Sequence, residues 1–528
     1  MSPIYAHVER REVPVRGPTS PMMLVYSFFA VAAIGAILLS LPISNRSAEF
    51  ISLITTFFTS VSAMTGTGLI LVDTRDYWTG FGQFVIAGLI FIGGLGFMTG
   101  AAFLLIITGR RSSLEGRLVV GAGLDDNRLG TIATLARNII LMAIFVQIIG
   151  AIFIFIRWYL VEPIWEGIPL GEGLWQSAFT SISAFNNSGF EILPDELVGG
   201  GSLIGLSNDI PTLMIIGAMI IIGSTSYATL GNVIEIRSWH QRTLGSKNVL
   251  VGTGAIVFIG LGVFITAFGF NQDLQLLRIF GLILLTLSGT YTAFAYLIRI
   301  RRWRHLTLDT KLVLVGIGVM LFIGFVAFGS LEWNNTETIG NESVQSKVTQ
   351  SVFHTVNRTA GFSTIDYSKL RAANLAVTEG LMFVGGASAS TASGIKVNTF
   401  MVIIIASFAI FSGKQRTTVF GREIPSVNIQ RAMAVGATAA AAVLVLVVAL
   451  FIVQPGLDFR TGVFEIISAF GTVGWSAGAT SHLNEGAQIV MSITMFAGRF
   501  GPITIALFMV GRERQDTIRY ASERIRIG

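Results

Sequence analysis

The chain has no cysteine, and only 12% of its 528 residues are charged. The first absence excludes disulfides and thiolate metal sites. The second leaves about half the charge of a typical soluble domain, where roughly 25% of residues are charged. No His, Asp or Glu spacing suggests a metal site, and no nucleophile–base pair presents itself. The glycine-rich stretches do not follow strands, so they are not nucleotide-binding fingerprints. A polytopic membrane enzyme would need a catalytic constellation at the membrane surface; that reading, like that of a scaffold, has no residues to carry it.

What is present in excess is apolar sequence. Hydrophobic residues make up 52% of the chain, and the mean hydropathy is +0.70. Val25–Leu41, Phe84–Thr108, Ile139–Ile156, Leu213–Ile222 with its flanks, Val249–Phe270 and Ile279–Ile298 approach or exceed the about 20 residues that cross a bilayer. So do Leu312–Gly329, Phe400–Phe411 with its upstream neighbours, Ala432–Val453 and Ile489–Val510. The chain therefore reads as an all-α membrane protein whose first partner is the lipid bilayer.

The net charge of +6 is unevenly placed. Lys and Arg cluster in every second connection: Arg10, Arg11 and Arg16, then Arg110, Arg111 and Arg117, then Arg237, Arg242 and Lys247. Arg299 to Arg304, Lys414 to Arg422 and Arg512 to Arg526 continue the series. The intervening connections are poor in basic residues or carry Asp73, Glu191, Asp195, Glu332 and Glu342. This is the positive-inside pattern. It predicts a multi-pass protein of the cytoplasmic membrane with both termini in the cytoplasm, and it argues against a nucleic-acid partner. The first apolar run follows a polar segment and lacks a small-residue cleavage site, so it reads as a span rather than a signal peptide.

Four short, more polar stretches lie between the spans. They read FTSVSAMTGTGL (Phe58–Leu69), FTSISAFNNSGF (Phe179–Phe190), SVFHTVNRTAGF (Ser351–Phe362) and FEIISAFGTVGW (Phe464–Trp475). They align without gaps, with Ser or Thr at the fifth position (Ser62, Ser183, Thr355, Ser468) and a glycine before the last residue (Gly68, Gly189, Gly361, Gly474). Fixed-order self-similarity marks a repeat architecture. The interval from Gly189 to Gly361 exceeds the other two by about 55 residues, the size of a bilayer-spanning hairpin. The predicted architecture is four span–pore helix–span repeats forming a pseudo-fourfold cation pore, plus two accessory transmembrane helices. The expected boundaries are a cytoplasmic N-terminal segment (1–21), repeat 1 (22–108), repeat 2 (138–236), an accessory hairpin (248–299), repeat 3 (310–412), repeat 4 (431–511) and a basic cytoplasmic tail (512–528).

Irregular backbone survives at membrane depth only where protein buries it or water lines it. Four glycine strands converging on one axis would face it with carbonyls able to replace an ion's hydration shell. Short helices pointing their C-terminal ends toward that axis would favour a cation. Thr472-Val473-Gly474-Trp475 is close to the TVGY core of potassium-channel filters. With the four segments, the turn Ile92–Met98 and Arg358-Thr359-Ala360-Gly361-Phe362, the chain resembles the Trk/Ktr/HKT superfamily of potassium transporters over roughly residues 22–511. It is nearest to the bacterial Ktr-type ion-conducting subunit. Gly223-Ser224-Thr225-Ser226-Tyr227 departs from the Gly-Gly turn expected at the matching place in repeat 2, and the hairpin after repeat 2 is not part of the Ktr pattern.

The resemblance implies a selectivity filter at Thr65, Gly66, Thr67, Gly68, Asn187, Ser188, Gly189, Thr359, Ala360, Gly361, Thr472, Val473 and Gly474, with potassium at its carbonyls as the transported ion. Within the superfamily, glycine at the first filter position goes with potassium passage and serine with sodium preference. Sodium conduction or sodium–potassium symport on the same fold is the alternative.

A second motif interrupts the last span of repeat 3. Gly385, Gly386, Ala387, Ser388, Ala389, Ser390, Thr391, Ala392, Ser393 and Gly394 are all small or hydroxylated, and Gly and Ser propagate helices poorly. A broken helix is expected there, followed by Lys396, which needs an aqueous or acidic neighbour. Arg499, in the last span, costs about 2.5–3.5 kcal/mol to place near the bilayer centre and so faces the interior or a water-filled path. By resemblance these residues form an intramembrane gate. Glu465 and His354, on pore helices, are expected to fix hydrogen bonds behind the filter. Arg157 and Arg278 are expected to snorkel outward. The resemblance further implies a homodimer, no covalent cofactor, and a separate cytosolic ring that binds nucleotide. Because the cytoplasmic connections are short and the expected gate faces the cytoplasm, the regulator is expected to dock on Arg110–Arg137, Lys414–Arg431 and the tail after Gly511.

Overall fold

The computed structural model describes residues 21–109, 128–161, 169–194, 202–233, 303 and 306–510. The predicted accessory hairpin with Arg278, the basic tail and all but the last residue of the N-terminal segment lie outside the described residues.

The helices come in threes, each group a long helix, a short amphipathic one and a return helix. The first comprises α1 (Pro21–Ser40), α2 (Leu53–Thr65) and, after the single-turn α3 (Thr74–Tyr77), α4 (Gly80–Gly109). The second is α5 (Arg128–Ile156), α6 (Leu170–Phe185) and α7 (Ile210–Ser224). The third is α8 (Leu308–Glu332), α9 (Val344–Val356) and a return split into α10 (Ala372–Phe383) and α11 (Val397–Phe411). The fourth is α12 (Ser426–Val453), α13 (Phe459–Gly471) and α14 (Glu485–Val510).

Local chemistry sets the boundaries. Ser343 caps α9 by accepting from Ser346 N at 3.2 Å, and Asp458 caps α13 by accepting from Thr461 N at 3.1 Å. Gly66 ends α2 in the left-handed conformation, at φ 65°. Among the described residues, three helical stretches, Ala136–Tyr159, Leu308–Glu332 and Ser426–Val453, are long and apolar enough to cross a membrane alone. Their outer faces are greasy: Phe145, Phe322 and Leu444 are 65%, 69% and 66% exposed. The interior holds apolar clusters together with many buried hydroxyls and amides, among them Thr56, Ser60, Thr180, Asn186 and Thr391.

In the first, second and fourth groups the short helix packs on both long helices of its group, in the third α9 packs on α8, and neighbouring groups meet in chain order. α4 meets α5 and α6, α9 meets α7, α10 meets α13, α11 meets α12, and α14 returns to α1 and α2. The circuit closes. Two return helices are broken. α7 stops at Ser224 and the chain bends by 100° into Tyr227–Val233, while α10 and α11 are separated by a non-helical loop. The described residues are not purely helical: β1 (Thr418–Val419) and β2 (Arg422–Glu423) form a small antiparallel hairpin.

Candidate functional site

The four segments picked out by sequence meet in one ring. Gly68, Gly189, Gly361 and Gly474 adopt φ of 88°, 74°, 73° and 99°, a region in which only glycine is at ease. A Cβ on Gly68 would overlap the carbonyl of Ser188, and one on Gly189 that of Ala360. On Gly361 it would meet the carbonyl of Val473, and on Gly474 that of Thr67. Each glycine thus rests against the residue preceding the next group's glycine, and the fourth rests on the first. The closing residues Leu69, Phe190, Phe362 and Trp475 are all buried.

The short helices end alike. Thr67 N donates to Ser62 O at 2.8 Å, Ser188 N to Ser183 O at 2.9 Å and Val473 N to Ser468 O at 2.9 Å. In the third segment Ala360 N turns instead to Asn357 O, at 2.9 Å. Return-helix glycines pack tightly on three of these ends: Gly93 on Met64 O, Gly223 on Phe185 O and Gly498 on Phe470 O. The third group lacks that contact. There Arg358 reaches the carbonyls of Leu381 (3.2 Å), Val384 and Gly385 (3.4 Å).

The expected broken helix is present between Phe383 and Val397. Its neck closes on itself through Gly385 N to Ile395 O at 2.8 Å and Val397 N to Gly386 O at 3.0 Å. Ala389 and Gly394 take left-handed φ of 60° and 71°. Ser390 Oγ donates to Ala387 O at 2.7 Å, and Ser388 Oγ to Asn398 Oδ1 at 2.9 Å. The crest docks on the bend of the second group: Ala387 N donates to Ser224 O at 2.9 Å and Thr391 N to Gly223 O at 3.0 Å.

Arg499 is 1% exposed and clamps the loop from the fourth group. Its Nη1 donates to Thr391 O and to Ser393 Oγ at 2.8 Å, and its Nη2 to Gly93 O at 3.3 Å. Ring, loop and arginine therefore form one cluster drawn from all four groups. Lys396 is buried, and its Nζ donates to the carbonyl of Ala392 at 2.5 Å.

A family model described as a cation transport protein, TrkH, matches residues 3–519. The chain belongs to the TrkH family. It is 34% identical over 503 residues to Ktr system potassium uptake protein B of Bacillus subtilis, covering 95% of each chain. It is 28% identical over 523 residues to the potassium/sodium uptake protein NtpJ of Enterococcus hirae, covering 97% of this chain and 98% of that one. The crystal structure of the potassium transporter TrkH from Vibrio parahaemolyticus superimposes with a TM-score of 0.63 at 16% identity, over 95% of this chain and 86% of that one. That match shows a shared membrane fold. A TrkH-family chain is a membrane ion transporter and not an enzyme.

Buried polar groups support the ring of this TrkH-family chain from behind. Glu465 accepts from Ser476 Oγ (2.6 Å), Ala477 N (3.1 Å), Ala479 N (3.2 Å) and Thr480 Oγ1 (2.6 Å). It pins the strand that leaves the fourth segment. His354 holds Tyr367 Oη and Thr364 Oγ1, both at 2.8 Å, and stacks on Phe328. Glu465→Ala removes four hydrogen bonds worth about 1 kcal/mol each. The expected result is a lower melting midpoint in detergent together with lost rubidium uptake; an unchanged midpoint contradicts this role.

Arg157 does not snorkel outward. It is buried and pairs with Asp209 at 2.8 Å, while the neighbouring Trp158 Nε1 donates to Thr212 Oγ1 at 2.9 Å. Sequence reading also missed Gly223 and Ser224 as the dock for the loop. The signal was there, because Gly223-Ser224-Thr225-Ser226 has the same helix-breaking composition as the loop itself.

Proposed function

We propose that this chain takes up potassium through the glycine ring, whose carbonyls replace the ion's hydration shell. The observation that carries the reading is the closed circuit in which each glycine Cα abuts the next segment's carbonyl. The filter is assigned to Thr65–Gly68, Asn187–Gly189, Thr359–Gly361 and Thr472–Gly474. Ser188 Oγ and Thr472 Oγ1 support it, being buried with no partner among the described residues. The four repeats 22–108, 138–236, 310–412 and 431–511 supply one segment each. Uptake follows the membrane potential, about 2.3 kcal/mol per charge per 100 mV. The loop Gly385–Gly394, Lys396 and Arg499 act as the gate, since the arginine fixes the crest of a loop that helix propensity leaves free to move.

Two relatives are named as proteins B and D of a Ktr system, which supports a working unit of more than one component. On this reading the membrane chain dimerises, and a cytosolic nucleotide-binding ring docks on Arg110–Arg137, Lys414–Arg431 and the C-terminal tail. The exposed hairpin β1–β2, with Arg416 facing Glu423 at 3.5 Å, lies within the second of these. Purified chain alone should then show no nucleotide-dependent flux. Sodium-coupled or sodium-conducting transport is the second reading, favoured by the similarity to the potassium/sodium uptake protein NtpJ. Rescue of a potassium-uptake-deficient bacterium at low external potassium, with and without added sodium, tests the first against the second. Rescue independent of sodium is expected; rescue only with sodium supports coupling, and no rescue contradicts potassium uptake.

A further inference from the structure

Every polar atom of Thr391 is tied to a different place. Its N–H donates to Gly223 O and its carbonyl accepts from Arg499. Its hydroxyl donates to Phe185 O at 3.2 Å and accepts from Asn187 Nδ2 at 2.7 Å. Asn187 stands in the second glycine segment, and its Oδ1 accepts from Thr359 Oγ1, in the third, at 2.9 Å. A line of hydrogen bonds therefore runs from the ring to the loop and on to Arg499.

Water does not compete for these bonds, because Asn187, Thr359 and Thr391 are 1%, 4% and 0% exposed. Asn187 adopts φ 55°, a left-handed conformation that asparagine tolerates better than most side chains. It aligns with Gly66, Thr359 and Thr472, two residues ahead of each ring glycine. Of these four positions one has no side chain, and Thr472 Oγ1 has no partner among the described residues. The other two, Asn187 and Thr359, are bound to each other and, through Asn187, to the loop.

We propose that Asn187 couples the loop to the ring. The seated loop fixes the orientation of the Asn187 amide through its Nδ2, and with it the bond from Thr359 Oγ1 to Asn187 Oδ1; withdrawal of Thr391 releases the amide to turn and offer its oxygen, with that of Thr359, to an alkali cation. This rests on reading the ring as filter and the loop as gate. Coupling between sites is reciprocal, so a cation held by these oxygens favours the withdrawn loop by the same factor. The transported ion then helps to clear its own path.

The test is radiolabelled rubidium uptake by full-length chain in proteoliposomes, with maximal rate and half-saturating concentration measured separately. Thr391→Val should raise the maximal rate and lower the half-saturating concentration about fivefold, equivalent to about 1 kcal/mol. Thr391→Ser, which keeps the hydroxyl, should restore both values. Asn187→Gly keeps the left-handed backbone and removes the amide; in that background Thr391→Val should still raise the rate but no longer shift half-saturation. An equal shift in both backgrounds, or a raised rate with no shift in the single variant, overturns the coupling. Deleting Gly386–Ser393 separates the two levels. If deletion leaves the rate unchanged, the gate reading falls and takes the coupling with it. If deletion raises the rate at an unaltered half-saturating concentration, only the coupling falls.

Discussion

Replacing Arg499 by alanine is expected to raise rubidium uptake about tenfold or more. The guanidinium ties the loop at Thr391 O and Ser393 Oγ while anchoring on Gly93 O of the first group. A hydrogen bond to a charged group contributes about 1.5–3 kcal/mol, and 1.36 kcal/mol is a factor of ten in an equilibrium. Loss of a single such bond is therefore enough for the expected rise if the loop is otherwise seated. Deletion of Gly386–Ser393 should act in the same direction, since it removes the obstruction rather than its tether. Arg499→Lys should fall between, because an ammonium lacks the planar fork that serves three acceptors at once. The alanine and deletion variants should both express, as neither alters the ring backbone. Uptake that falls in both, with gel filtration and rubidium binding intact, would assign loop and arginine a structural role instead.

The second large effect is expected on selectivity. Gly68 sits at φ 88°, and a Cβ there overlaps Ser188 O and lies 3.4 Å from the Gly189 Cα. Gly68→Ser must therefore move the Ser188 carbonyl, strain the left-handed backbone, or both; such strain costs on the order of 1–3 kcal/mol. A ring that loses a well-placed carbonyl penalises potassium, which needs more ligands, over sodium. The rubidium-to-sodium uptake ratio should fall about tenfold while protein yield holds. Because the circuit is cyclic, Gly189, Gly361 and Gly474 face the same obstacle in the carbonyls of Ala360, Val473 and Thr67. Serine there should act in the same sense. An unchanged ratio in Gly68→Ser, with the variant well folded, would show that the ring does not set selectivity.

Much of this site was legible in the sequence because its demands are local. Only glycine is at ease at the φ of Gly68, Gly189, Gly361 and Gly474, so four aligned glycines betray the ring. A run of small residues from Gly385 to Gly394 cannot sustain a helix, so the break was predictable too. What the run does not encode is its dock. The carbonyls of Gly223 and Ser224 are backbone atoms, identical in every residue, and they belong to a different group of helices. Asn187 made the second copy look like a looser version of the motif, yet its amide is the group that joins two segments to the loop. Arg157 misled for a similar reason: its partner Asp209 lies far along the chain, and nothing near Arg157 announces it. The hairpin Thr418–Glu423 has two-residue strands, too short for an alternating pattern to register.

The most direct test of the ring as a potassium filter is competition between labelled rubidium and labelled sodium for uptake by wild-type chain in proteoliposomes at a fixed inside-negative potential. Rubidium should enter in clear preference, and unlabelled potassium should displace it far better than unlabelled sodium does. Preferential entry of sodium would contradict potassium selectivity and leave only the helical circuit standing.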